Sequence, residues 1–210
     1  MSYKTVRREA SDEFTEQRSR FIGFAKPVKT EEEAVAFINS KKKEYHDARH
    51  NVYAYSLREN NLKRYSDDGE PHGTAGVPVL DVIVKSGVTD VVVVVTRYFG
   101  GILLGAGGLV RAYTNGAKIA LASAGIVTME QSVFMKIATD YSRYGKISSL
   151  ISENGAVLDD TIFEDNVSLC FHIKKDSSYA FQKKLADATA GQLFAETVKE
   201  GYAEYLGTTE

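Results

Sequence analysis

The sequence predicts an α+β protein with two domains, residues 1–128 and residues 129–210. Strand and helix patterns fill the first range, and after a short connection they restart in the order β-α-β-β-α-β, the ferredoxin-like order. The charge balance changes at the same place, because residues 1–128 hold 18 Lys and Arg against 15 Asp and Glu, whereas residues 129–210 hold 8 against 13. We therefore expect a polyanionic partner to meet the first domain.

In the first domain, the apolar patterns predict a central strand flanked by helices. The predicted strands are residues 21–28, 51–57, 62–66 and 91–98. The strand at 91–98 is apolar on both faces, which is typical of a strand covered on both sides. Thr30 and Glu33 have capping-box spacing and predict a helix start. Thr74 is expected to cap a second helix that Gly87 closes, and a third helix ends before Gly125.

The second domain is predicted element by element. The order is strand 133–139, helix 142–154, strand 156–163, strand 167–174, helix 177–190 and strand 192–199. Cys170 is the only cysteine and lies in an alternating apolar run, so we expect it to be buried in a strand. A single cysteine provides neither an intramolecular disulfide nor a cysteine-based metal site.

Two features bear on the location of the protein. Residues 1–14 lack the apolar core of a signal peptide. Purely apolar runs are short, and even Val91–Val95, which no other run exceeds in length, is too short to span a bilayer. We expect a cytoplasmic protein without a membrane partner.

The segment HDARHN contains two histidines, His46 and His50, at a spacing that can chelate zinc on a helix. The likeness to H-E-x-x-H fails in two places, because Asp47 replaces the glutamate and the alternation from Asn51 suggests that the helix ends near His50. We therefore expect no metal ion and no other cofactor. The alternatives are local hydrogen bonds at a helix-to-strand junction and a binding surface that includes Arg49.

The segment SDDGEPHGTAG, residues 66–76, concentrates side chains that can carry chemistry. Asp67 and Asp68 could hold a magnesium ion beside a phosphate. Ser66, Asp67 and His72 are triad residue types, but no strand–nucleophile–helix elbow surrounds the serine. Asp-Asp-Gly and Pro-His-Gly are also strong turn formers, so a structural turn is the alternative to catalysis.

The segment RYFGGILLGAGGLVRAY, residues 97–113, leads from the central strand into a helix. Its glycines can let backbone N–H groups face an anion, although the spacing fits neither a Walker A loop nor a Rossmann fingerprint. Arg97 and Arg111 flank the glycines and could supply bidentate phosphate contacts. Tyr98, Phe99 and Tyr113 could stack on bases. The alternative is that the glycines only allow tight packing of helix on sheet.

Together, these three segments resemble the IMPACT/YigZ family, and the likeness covers nearly the whole chain. The resemblance implies a first domain with the fold of the second domain of ribosomal protein S-five, which also occurs in elongation factor G domain IV and in GHMP kinases. It implies a ferredoxin-like second domain similar to elongation factor G domain V. Eukaryotic members of the family act in translational control by binding the large activator of a starvation-response kinase.

The leading expectation is a non-enzymatic, translation-linked regulator that binds RNA, the ribosome or a protein partner through the face that carries these motifs. One alternative is an enzyme acting on a phosphorylated or nucleotide-like small molecule, although the serine-containing phosphate loop of GHMP kinases is absent. A second alternative is a purely protein-binding module. No catalytic residue is assigned. The candidate binding residues are His46, Arg49, His50, Asp67, Asp68, Glu70, His72, Thr74, Arg97, Tyr98, Phe99, Gly100, Gly101, Gly105, Gly107, Gly108 and Arg111.

Overall fold

The structure, a computed structural model, describes residues 2–205. The predicted outer domain limits at residues 1 and 210 therefore lie outside the described residues. Within them the chain forms two compact units, Tyr3–Thr128 and Met129–Tyr205. None of the described helices is long and apolar enough to cross a membrane.

The first unit is built on a five-stranded antiparallel sheet in the order β2-β3-β6-β4-β5. The strands of this sheet are β2 Ala10–Glu16, β3 Ser19–Pro27, β4 His50–Ser56, β5 Lys63–Ser66 and β6 Val91–Tyr98, and the short strand β1 Tyr3–Val6 lies outside this sheet. The helices of the first unit are α1 Glu31–Glu44, α2 Gly76–Lys85 and α3 Gly105–Ala124, with a short 3-10 turn at Glu59–Asn61. The predicted α+β class is confirmed.

The central strand β6 is covered on both faces. Val91, Val93 and Val95 belong to the core that contains residues of α2 and α3. Val92 and Val94 belong to a second core on the side of α1. This arrangement explains the unbroken apolar run, because alternate side chains of one strand enter different cores.

Small residues allow α3 to lie close to the sheet. A Cβ atom on Gly23 would lie 2.2 Å from the carbonyl oxygen of Gly116, and one on Gly116 would lie 2.8 Å from Cγ1 of Val95. Both distances are shorter than any real contact of a Cβ atom. The glycines therefore set how closely helix and sheet approach.

The start of α1 is confirmed, whereas its end differs from the prediction. The Thr30 hydroxyl accepts a hydrogen bond from the Glu33 N–H at 3.3 Å, which is the expected N-cap. The helix ends at Glu44, and His50 is already the first residue of β4.

Two strands precede the predicted first strand. β1 and β2 are not signalled by the sequence, and β2 is an edge strand whose side chains are mostly exposed. Its one large apolar side chain, Phe14, stacks on Phe21 with a centroid distance of 5.2 Å. An edge strand with a single buried contact lacks the alternation that predicts strands.

The second unit has the predicted β-α-β-β-α-β order. Its elements are β7 Ile126–Thr139, α4 Tyr141–Glu153, β8 Val157–Phe163, β9 Val167–Lys174, α5 Lys175–Ala188 and β10 Glu196–Tyr205. β7 pairs with β9 and β10, and β9 pairs with β8, which is the ferredoxin-like arrangement. Ile147 of α4 and Leu185 of α5 join Phe171 in one core.

Three predictions for the second unit are wrong in detail. The first strand begins at Ile126 rather than at residue 133, so the expected short connection is part of the strand. The last strand begins at Glu196 rather than at residue 192, because Ala190 and Gly191 adopt positive φ angles of 51° and 75° and turn the chain. Cys170 lies in β9 as predicted but is only half-buried. Its neighbours Leu169 and Phe171 point into the core, so Cys170 points to the other face of the sheet.

Candidate binding site at one end of the first sheet

Four connections of the first unit lie at one end of the sheet. The strand register pairs Arg20 with Tyr98 and His50 with Arg97, so β3 and β4 begin where β6 ends. We call this region the loop end. It contains the β2–β3 turn (residues 17–18), the histidine loop (45–49), the acidic loop (67–75) and the glycine loop (99–104). All three sequence motifs therefore meet at the same end of the sheet.

A buried ionic network joins the motifs. The Glu70 Oε1 atom accepts hydrogen bonds from Arg97 Nη1 and from the Tyr113 hydroxyl, both at 2.7 Å. Nε2 of His50 lies 4.0 Å from the same oxygen. The side chains of Glu70 and Arg97 are only 4% and 6% exposed. The network thus connects the acidic loop to β4, β6 and α3.

Burial decides the roles of Arg97 and Tyr113. The Arg97 guanidinium is held by Glu70, so it does not present the free fork that a bidentate phosphate contact needs. The Tyr113 side chain is fully buried, so it cannot stack on a base. Burial and, next, the negative Glu70 carboxylate raise the pKa of Tyr113 far above its ordinary value. The predicted ligand roles of these two residues are corrected to structural ones.

Asp68 holds the acidic loop against the start of β4. Its Oδ2 accepts a hydrogen bond from the Asn51 N–H at 2.7 Å, and its Oδ1 accepts one from Lys42 Nζ at 2.6 Å. Nδ1 of His50 lies 2.9 Å from the Asp68 carbonyl oxygen. A carbonyl oxygen can only accept, so this contact requires a proton on Nδ1.

Asp67, rather than Thr74, caps α2. The Asp67 carboxylate accepts hydrogen bonds from the N–H groups of Gly73, Ala75 and Gly76 at 2.9, 3.1 and 2.8 Å. Burial by itself raises the pKa of Asp67, but these three hydrogen bonds together lower the pKa below its ordinary value. The Thr74 hydroxyl instead donates to the Pro71 carbonyl at 2.7 Å, so the predicted cap is wrong.

The histidines do not form the zinc pair that their spacing would allow. His46 lies in the turn that follows α1 and is exposed, whereas His50 lies in β4, so no helix face carries both. The His72 side chain is 96% exposed, with Nδ1 3.8 Å from Asp67 Oδ2. Among residues 2–205, no group of three or more His, Cys, Asp and Glu side chains is placed to hold a metal ion.

The glycine loop presents apolar side chains to solvent. Phe99, Ile102 and Leu103 are 43%, 40% and 84% exposed. Gly100 is required by packing, because a Cβ atom there would lie 2.0 Å from the Arg18 carbonyl oxygen. Of the three aromatic residues considered for stacking, Phe99 is exposed, Tyr98 is half-buried and Tyr113 is buried. The Tyr98 hydroxyl donates a hydrogen bond to Asp47 Oδ1 at 2.7 Å.

The N-terminus of α3 has no side-chain cap and no acidic residue in its first turn. Its first amide groups belong to Gly105, Ala106, Gly107 and Gly108, and such groups have no partner within a helix. The Arg111 guanidinium reaches back toward them, with Nη1 3.7 Å from where a Cβ atom of Gly107 would lie. Free N–H groups beside a guanidinium attract an anion.

A polar groove of about 230 Å³ lies beside this helix start. Its lining residues are Phe14, Glu16, Gln17, Leu104, Gly108, Arg111, Ala112 and Asn115. Arg111 and Asn115 share one side of α3, as their spacing predicts, and both are exposed. Glu16 is the one carboxylate among the lining residues.

The exposed charges of the loop end are mostly cationic. The three carboxylates of the acidic loop are engaged inside the fold, whereas Asp47 and Glu16 are exposed acids at its edges. The exposed cationic side chains are Arg18, Arg49 and Arg111, and the imidazoles of His46 and His72 are exposed beside them. Arg18 was not a sequence candidate, because it reaches the loop end through the unpredicted β2–β3 hairpin, where its φ angle is 65°.

The comparisons with known proteins cover both units. The sequence profile of the Impact N-terminal domain matches residues 17–121, a range that contains the whole loop end. A second profile, described as a domain of unknown function (DUF1949), matches residues 137–192. A solved structure described as that of a hypothetical protein has a TM-score of 0.59 at 31% identity and covers 94% of this chain and 98% of that chain.

Two relatives match most of this chain, and a third matches less than half of it. The IMPACT family member YvyE of Bacillus subtilis is 39% identical over 206 residues, which are 98% of this chain and 94% of the relative. The member YigZ of Escherichia coli is 33% identical over 189 residues, or 88% and 92% of the two chains. The protein IMPACT homolog of Saccharomyces cerevisiae is 33% identical over 100 residues, or 46% of this chain and 39% of the relative.

The fold and the loop end together define a two-unit α+β protein whose first unit presents its motif-bearing loops on one surface. The profiles and the long matches assign it further. The chain belongs to the IMPACT family.

Proposed function

We propose that this chain is a non-catalytic, translation-linked regulatory protein whose loop end binds RNA, free or on the ribosome. The observation that carries the proposal is that the acidic side chains of the acidic loop are engaged by protein groups, whereas two arginines of the loop end are not. The carboxylates of the acidic loop are bound to N–H groups, Lys42 and Arg97, whereas Arg49 and Arg111 have no ion pair among the described residues. The surface left for a partner is therefore cationic.

Two further features support RNA as the partner. The uncapped start of α3 offers backbone N–H groups and Arg111 to a phosphate, which is a contact without sequence preference. Phe99 is exposed within the same loop, and an exposed aromatic side chain is the kind of group on which an unpaired base stacks. The link to translation rests on the resemblance to the eukaryotic family members.

The test is RNA binding by fluorescence anisotropy across a salt series, with a 20-nucleotide single-stranded RNA. We expect Arg49→Ala plus Arg111→Ala to weaken binding at low salt. The slope of log K against log salt should fall by about 0.7 for each arginine that contacts a phosphate. The matched control is Lys29→Ala plus Lys63→Ala, which removes the same charge from the opposite end of the sheet. Equal, salt-insensitive binding by both variants and wild type would contradict the proposal.

A protein partner is the second candidate, favoured by the exposed Ile102 and Leu103. Apolar anchors of this kind dominate protein interfaces but contribute little to phosphate contacts. Leu103→Ser separates the two functions. If the loop end binds RNA, the Leu103→Ser variant keeps the salt-dependent RNA affinity of the wild type. If the loop end binds only protein, the wild type has no RNA affinity and the variant loses its protein partner.

A further inference from the structure

A groove of about 550 Å³ runs between the outward-facing sides of α2 and α3, away from the polar groove beside Arg111. Its lining residues are Gly73, Val77, Pro78, Asp81, Val82, Lys85, Ser86, Val110, Thr114 and Lys118. The volume falls within the range of pockets that hold drug-sized ligands or a few side chains. Neither the buried network nor the exposed arginines of the loop end line this groove.

The two helices run in the same direction along this groove. β5 and β6 are both antiparallel to β4, so they point the same way. α2 follows β5 and α3 follows β6, so both helices begin at the loop end and lead back along the sheet. They also pack against each other.

Each helix contributes one stripe of side chains to the groove. Val77, Asp81 and Lys85 are spaced at i, i+4 and i+8 on α2, and Val110, Thr114 and Lys118 have the same spacing on α3. Eight residues of helix rise by about 12 Å, so the groove has the length of about two helical turns. Both stripes begin with a valine near the loop end and finish with a lysine.

The groove is therefore apolar at one end and cationic at the other. Val110 is 38% exposed, and Val77 and Val82 contribute further apolar surface. At the other end Lys85 lies 3.4 Å from Asp81, whereas Lys118 has no ion pair among the described residues. Lys118 therefore leaves a positive charge without a partner next to the C-terminal end of α2.

We propose that this groove docks an acidic amphipathic helix of a protein partner, about two turns long. Two apolar side chains of that helix, spaced at i and i+4, pack against Val77, Val82 and Val110. A carboxylate one turn further along pairs with Lys118. Grooves between helices bind amphipathic helices through such anchors, and the charged contact fixes the direction of the bound helix. This surface is independent of RNA binding at the loop end.

The experiment is selection of random 16-residue peptides displayed on phage against the full chain, followed by affinity measurement of synthetic copies. We expect the enriched peptides to share an apolar pair and an acidic residue. Val110→Glu should weaken their binding at least tenfold, and Lys118→Glu should reverse the preference from acidic to basic peptides. Val84→Glu is the matched control, because Val84 is 47% exposed on α2 but does not line the groove.

Three results would overturn the proposal: no enriched peptide, enriched peptides without the acidic residue, or equal loss of affinity in the Val84→Glu control. Circular dichroism of each variant checks that the fold is kept. The RNA affinity of the Val110→Glu and Lys118→Glu variants, measured in the same preparations, separates this surface from the loop end. A loss confined to peptide binding supports two independent surfaces.

Discussion

The acidic loop before α2 and the glycine loop before α3 differ in how they treat the N–H groups at the start of the helix that follows. Both lead from a strand into a helix at the loop end, and both helix starts expose N–H groups. At α2 the Asp67 carboxylate accepts hydrogen bonds from the first helical N–H group, that of Gly76, and from the N–H groups of Ala75 and Gly73 before it. At α3 no side chain within residues 2–205 caps the helix start. The acidic loop, which has more polar side chains, is therefore held by its own hydrogen bonds, whereas the start of α3 after the glycine loop has no side-chain cap among the described residues.

The largest expected effect comes from removing the carboxylate that anchors the acidic loop. Glu70→Ala leaves the Arg97 guanidinium buried without its partner, so we expect the free energy of unfolding to fall by about 3–5 kcal/mol. Urea denaturation measures this change. Tyr113→Phe removes a single hydrogen bond to the same carboxylate and should lower the free energy by only about 1 kcal/mol. A Glu70→Ala protein as stable as wild type would show that the acidic loop is not held by this network.

The next effect concerns the cap of α2. Asp67→Ala leaves the N–H groups of Gly73, Ala75 and Gly76 without their acceptor, so we expect a loss of about 2 kcal/mol, the upper range for a single cap. The matched variant Thr74→Val removes a hydroxyl whose one hydrogen bond among the described residues is to the Pro71 carbonyl, so it should change stability less. If Thr74→Val were the more destabilising of the two, the assignment of the cap would be wrong.

The same cap predicts a pH dependence. The pKa of Asp67 is lower in the folded than in the unfolded chain, so its charge stabilises the fold fully above the unfolded pKa of about 4. This contribution is lost as the pH falls through the folded pKa. The stability difference between wild type and Asp67→Asn should therefore be constant near neutral pH and shrink below about pH 4. A difference that grows toward acidic pH would contradict the lowered pKa.

The smallest expected effect on stability is a gain. Ala106→Glu places a carboxylate in the open first turn of α3 and should stabilise the protein by about 0.3–1 kcal/mol, because it complements the helix dipole. It should also weaken RNA binding, since the carboxylate occupies the place of a phosphate. Ala106→Gln is the neutral control. Unchanged RNA affinity in the Ala106→Glu variant would exclude the start of α3 from the interface.

The fold was predictable because its signals are local. The apolar run of β6, the cap at Thr30 and the strand and helix patterns of the second unit each depend on neighbouring residues, and each has its predicted type in the structure. The strand β2 carries no such signal, because its burial comes from pairing with β3 rather than from its own alternation. Strand propensity and hydrophobic periodicity are properties of a segment itself, so they do not show which strand the segment pairs with.

The sequence singles out the three segments that meet at the loop end, but it does not predict the contacts that their side chains make. The three motifs meet at one end of the sheet, yet the sequence does not distinguish a carboxylate that faces solvent from one that caps a helix nine residues away, as Asp67 does. Arg97 and Arg111 are the same residue type and flank the same glycines in the sequence. In the structure Arg97 is buried in the sheet, whereas Arg111 is exposed on the outer side of α3. Burial separates them, and burial depends on the tertiary structure.

The most direct test of the contrast between the two loops is a nuclear magnetic resonance titration of the nitrogen-15-labelled chain with a five-nucleotide single-stranded RNA. We predict that the amide signals of Gly105, Gly107 and Gly108 shift progressively, while those of Gly73 and Gly76, whose N–H groups are bonded to Asp67, stay in place. Shifts at Gly73 and Gly76 without shifts at the start of α3, or no shifts at either helix start, would contradict the account.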